Sequence, residues 1–175
     1  MKKILTTIGL SLLLGACGGE KDLMSSKKEV AANPNKKITA CSLLTQDYIK
    51  KAISGSSSIV KKAPTVPKSL IDQNCGYSFK LDKLDYNLKL NLLVVNDPYI
   101  DEKTLDQKVA YITGSELIND VGEKAYYSSQ SSVLTALNKK SIVQITTYSS
   151  ESKEKDKSEN IAKIIANGML AALSK

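Results

Sequence analysis

Arginine, histidine and tryptophan are all missing from these 175 residues, and Phe79 is the only phenylalanine. Without histidine there is no Ser-His-Asp or Cys-His catalysis, no imidazole metal ligand, and no imidazole to act as a switch near neutral pH. Without arginine there is no planar fork to grip phosphate or guanine bidentately. All 25 basic residues are therefore lysines, set against 18 acidic ones for a formal charge of +7. Lysine at this density serves solubility first. It also suits a setting near anionic lipid headgroups or cell-wall polymer, and no nucleic-acid partner is expected. Apolar stretches long enough for a membrane helix are lacking too. The run from Ile4 to Leu14 would span about 16 Å of a roughly 30 Å hydrocarbon core.

What is present begins with LLLGACGGEKD, residues 12 to 22. Lys2 and Lys3 precede an apolar segment of h-region length. Gly15 and Ala16 are the small residues that let a chain lie extended in a peptidase cleft. Leu14-Gly15-Ala16-Cys17 resembles the lipobox of bacterial lipoproteins. That resemblance implies a signal peptide over residues 1–16, cleavage before Cys17, and acylation of Cys17 with palmitate-class chains. Two or three such chains, at about 0.8 kcal/mol per buried CH₂, hold a protein on a membrane where one does not. Gly18 stands where the Gram-negative retention signal would place Asp. In a Gram-negative host the expected address is thus the outer membrane, facing the periplasm. Residues 17–37 read as the acylated N-terminus and a polar tether of about 25 Å root-mean-square span. Residues 38–175 read as a single globular domain.

With Cys17 assigned to the anchor, Cys41 and Cys75 remain, and an even pair in an exported chain reads as one disulfide. The competing reading, a redox or zinc pair, lacks both C-x-x-C spacing and a third thiol or histidine.

LLTQDYIKKAISG predicts a helix with Thr45 as N-cap, Asp47 in its first turn, Lys50 and Lys51 towards its end and Gly55 as stop. Pro64 and Pro67 suit an edge strand and loop between the cysteines. CGYSFKL and YNLKLNLLVV alternate: Cys75, Tyr77, Phe79 and Leu81 share one face, as do Tyr86, Leu88, Leu90, Leu92 and Val94, while Asn87, Lys89 and Asn91 take the other. That is an antiparallel hairpin with one wet face. A second helix follows with Leu105, Val109 and Ile112 inward, then a short strand entered through Gly122 and a hairpin turning at residues 138–141. The stripe Ile161, Ile164, Ile165, Gly168, Met169, Ala172 and Leu173 predicts a C-terminal core helix. The expected class is α+β, an antiparallel sheet of about 5 strands with helices packed on one face.

CSLLT opening a helix, a second cysteine in CGYSF opening a strand, DVGEKAYY, a closing hairpin and a C-terminal amphipathic helix follow in that order. The arrangement resembles a family of small bacterial lipoproteins, best known in actinobacteria, that share a domain of unknown function. The likeness covers Cys41 to Leu173, although Tyr77 stands where those proteins often carry Trp. It implies a lipoprotein with one disulfide and supplies no catalytic residue.

Paired carboxylates occur at Asp82 and Asp85, at Asp97, Asp101 and Glu102, and at Glu116 and Asp120. Each sits in a predicted turn or helix start, where Asp serves as a cap, so no catalytic or metal role and no cofactor is expected. Tyr99, Tyr126 and Tyr127 are the candidates for a partner-binding surface, since tyrosine offers rigid contact area with a polar tip. The expectation is a monomeric, non-enzymatic lipoprotein, held at the membrane through Cys17, that binds an envelope protein or cell-wall component. The alternatives are a small-ligand or lipid carrier, which needs an apolar cavity, and a carboxylate or Ser–Lys hydrolase.

Overall fold

The alternation read from the sequence becomes seven strands rather than about five: β1 (Ser57–Lys62), β2 (Asn74–Leu81), β3 (Leu84–Val94), β4 (Ser115–Ile118), β5 (Lys124–Ser128), β6 (Val133–Asn138) and β7 (Ser141–Ser149). In this computed structural model, which describes residues 37–151 and 154–175, they form one sheet in the order β1-β2-β3-β7-β6-β5-β4. Every neighbouring pair is antiparallel. Cys17, the leader and the tether up to residue 36 lie outside the described residues. The helices are α1 (Ala40–Leu43), α2 (Gln46–Ala52), α3 (Glu102–Val109) and α4 (Lys155–Leu173), with a 3-10 helix at Lys68–Gln73.

Local chemistry accounts for the boundaries. Thr39 and Ser42 form a reciprocal capping box on α1, and Thr45 accepts the Tyr48 N–H as the N-cap of α2. Asp82 and Lys83, at φ 51° and 71°, make the two-residue turn whose twist matches the β2–β3 hairpin. The extra strand, β4, is short and mostly exposed, and it pairs with β5 from Ser115 opposite Ser128 to Ile118 opposite Ala125.

One face of the sheet carries the main core. Cys75, Tyr77, Phe79, Tyr86, Leu88, Leu90, Val143, Ile145 and Leu134 pack there against α1, α2 and α4. Phe79 stacks on Tyr86 with centroids 5.6 Å apart. The buried side of α4 is Ile161, Ala162, Ile165, Ala166, Met169, Leu170 and Leu173. It is rotated from the predicted stripe, and Ile164 is left exposed. Ala162 and Ala166, both fully buried, let the helix backbone approach the sheet.

Val94, beyond a register shift in β3, does not share that face, and contrary to expectation neither does α3. Its Leu105 and Val109 pack with Leu137 and Ile142, cross-strand partners pointing to the opposite side of the sheet. The strands explain why. Residues 134–137 of β6 are buried without interruption, as a strand covered on both faces must be.

Gly168 marks the contact between α2 and α4, because a Cβ there would overlap the Tyr48 hydroxyl. Gly168→Ala gains about 1 kcal/mol of helix propensity. It must also displace the phenol, an overpacking cost of about 1–3 kcal/mol. We expect a net loss of about 1 kcal/mol in urea unfolding, and a gain of about 1 kcal/mol when the same change is made in a Tyr48→Ala background. Equal effects in both backgrounds would remove Tyr48 as the cause.

Candidate functional site

The face opposite the main core divides into three zones. At the β5–β6 end it is covered by α3. The Lys124 ammonium lies 2.9 Å from Asp106 and 3.2 Å from Glu102, and the Tyr126 hydroxyl donates to Asp106 at 3.0 Å. These hydrogen bonds hold the Asp106 carboxyl below its usual range and the Lys124 ammonium above its own. Together they fasten α3 to β5.

A polar seam follows. Asn91, Gln144, Thr135 and Tyr126 are successive cross-strand partners on β3, β7, β6 and β5. The Asn91 amide donates to the Gln144 carbonyl oxygen at 3.0 Å. Gln144 in turn reaches Thr135 Oγ1 at 3.5 Å. The seam leaves the buried Asn91 Oδ1 without a partner, and it separates the covered end of the face from the open one.

Beyond the seam lies a groove of about 320 Å³, which is within the size range of small-ligand sites. Its floor is built in register: Lys62 on β1, Gly76 on β2, Lys89 on β3 and Thr146 on β7 form one cross-strand row. Asn87 and Tyr148 form the next row, and Tyr148 is half-exposed. Ala63 and Pro64, in the turn leaving β1, line one wall.

Gly76 makes the groove. It does not have the positive φ that requires glycine. A Cβ there would meet the Leu88 carbonyl oxygen and Lys62 Cβ at 3.6 Å, ordinary contact distances. Neither backbone conformation nor close packing therefore demands glycine, although glycine inside a strand sacrifices about 0.5–1 kcal/mol relative to alanine. What its bare Cα provides is a slot between two lysine-bearing strands. The Cys41–Cys75 disulfide, with Cα atoms 5.0 Å apart, ties α1 to the residue just before it.

The tyrosines expected to form a partner surface fall in three environments. Tyr99 projects from the loop before α3 and is 90% exposed. Tyr126 is half-buried and holds Asp106. Tyr127 is a core residue, 5% exposed, and unavailable to a partner; on β5 it faces opposite to Tyr126. Tyr148, on β7, is the exposed tyrosine that lines the groove, beside the buried Tyr77. Several of the carboxylates singled out above have structural occupations, whereas the side chains of Glu116 and Asp120 make no hydrogen bond or ion pair among the described residues. Asp101 caps α3 by accepting from Thr104 N at 2.8 Å, and the Thr104 hydroxyl and amide hold its carboxyl below the usual range. Asp97 accepts from Tyr99 N, Asp82 pairs with Lys157 at 2.9 Å, and Asp85 lies 3.8 Å from Lys80. No group of three or more potential metal ligands occurs among the described residues.

No family model, curated protein or solved structure matches this chain.

Proposed function

We propose that this chain is a cell-envelope lipoprotein of the family its cysteine-bearing motifs resemble, anchored through acylated Cys17 and working as a monomeric, non-enzymatic binding module. In a Gram-negative host it sits on the outer membrane, facing the periplasm. The groove over Gly76 is where the domain holds its partner, an envelope protein or a cell-wall component. The observation that carries this reading is a glycine in the middle of a strand with no conformational or packing reason to be there, lying under an open slot. The carrier alternative is weaker, because the layer between sheet and helices is occupied by fully buried side chains such as Tyr86, Leu90, Ile145 and Ile165. Filling the slot tests the proposal. Gly76→Val in the full, disulfide-bonded chain is expected to fold and to lose capture of its envelope partner from detergent-solubilised membranes. Capture undiminished by that side chain would contradict it.

A further inference from the structure

Resting on that binding-module reading, we infer that the groove over Gly76 takes an acidic polysaccharide, a chain of pyranose rings bearing carboxylates. Lys62 and Lys89 flank Gly76 in register, so their Cα atoms stand two strand spacings apart, about 10 Å. Neither enters an ion pair among the described residues, which is also true of most of the other described lysines. Two unneutralised ammonium groups either side of a slot favour an anion. As compact point charges they suit single anionic groups spaced along a chain, such as the carboxylates of an acidic polysaccharide.

The rest of the lining suits sugar rings. The half-exposed Tyr148 ring offers a flat apolar surface with a polar tip. The Asn87 amide and Thr146 hydroxyl supply donors and acceptors for ligand hydroxyls.

The floor offers no backbone to a peptide. It lies in mid-sheet, where β2 already pairs with β1 on one side and β3 on the other. An extended peptide therefore finds no free backbone ladder to join. The β1 edge is no better, since its register breaks between Ser57 and Val60 and the Gln46 side chain already donates to the Ile59 carbonyl at 3.0 Å. Recognition must run through side chains, which favours a ligand carrying its own hydroxyls and carboxylates.

The test is calorimetric titration of the full chain in detergent with oligogalacturonate, with its methyl ester as a neutral control of the same ring, and with poly-glutamate of matched charge. The expected result is saturable binding of oligogalacturonate, at least tenfold weaker for the ester and for poly-glutamate. A tenfold or greater loss is also expected in Lys62→Gln, Lys89→Gln and Gly76→Val. Poly-glutamate binding as tightly as oligogalacturonate, with Gly76→Val unaffected, would overturn the inference in favour of unspecific surface charge. No oligogalacturonate binding would overturn it too. In that case, envelope capture that is still lost in Gly76→Val would leave the binding-module reading standing, and capture that survives would remove both.

Discussion

Replacing both Cys41 and Cys75 by alanine is expected to lower the unfolding free energy by about 3–4 kcal/mol. The bridge closes a loop across a sequence separation of 34, and a cross-link of that span restricts the unfolded chain by about this amount in the chain-entropy account. Against a typical total of about 5–15 kcal/mol, the loss is large. It corresponds to roughly 10 °C in Tm for a domain of this size. The effect has a local side as well. Cys75 is 2% exposed and immediately precedes Gly76, so the bridge secures the strand that floors the groove. Denaturant midpoints of the oxidised chain and the double alanine variant measure the difference. A change below about 1 kcal/mol would mean that the α1–β2 contact holds without the covalent tie.

Gly122→Ala is the most damaging single-methyl change we expect. Gly122 sits at φ 59°, where an L side chain is strained, and a Cβ would overlap the Leu137 carbonyl oxygen. That carbonyl already accepts the Glu123 N–H at 2.8 Å. The Leu170 methyl of α4 lies only 3.0 Å from the new carbon. The turn cannot relax freely either, because Asn167 of α4 donates to the Asp120 carbonyl at 2.8 Å and accepts from Gly122 N at 3.3 Å. Strain of about 1 kcal/mol and overpacking of about 1–3 kcal/mol together predict a loss of about 2–4 kcal/mol. Gly55→Ala is the control. Gly55 has φ 83°, but its Cβ would meet only a Leu81 methyl at 3.5 Å, so it should cost about 1 kcal/mol. Equal losses at the two positions in urea unfolding would refute the steric part of the argument.

Much of the fold was legible because particular residues carry unambiguous signals. Thr45 as a cap, the alternation of β2 and β3, Gly122 at the entry to β5 and the cysteine pair each act through local chemistry, and each is found in its expected role. β4 was missed because Ser-Glu-Leu-Ile is short, and its Leu117 is 61% exposed. It has no buried face to impose alternation. The side of the sheet taken by α3 was misread for a different reason. An amphipathic helix declares that it has an apolar face without declaring where that face goes. The signal lay elsewhere, in the unbroken burial of β6 and in Ile142 beside Val143 at the start of β7. The groove was harder still. Its central feature is the absence of a side chain at Gly76. A glycine inside an alternating strand is a cue for close approach or open space. Only the register shows that Lys62 and Lys89 stand on either side of it. The aromatic beside them, Tyr148, comes from a strand some sixty positions further along the chain.

The measurement that tests the central claim most directly is a paired one on Gly76→Val: the urea midpoint of the purified full chain and its capture of the envelope partner, beside the unsubstituted protein. The account predicts a midpoint unchanged or raised, since a Cβ at this position meets only ordinary contacts and valine is better suited to a strand than glycine. It predicts capture reduced at least tenfold, because the side chain fills the slot. A stable variant that captures its partner as well as the unsubstituted protein would show that the groove is not where this domain binds.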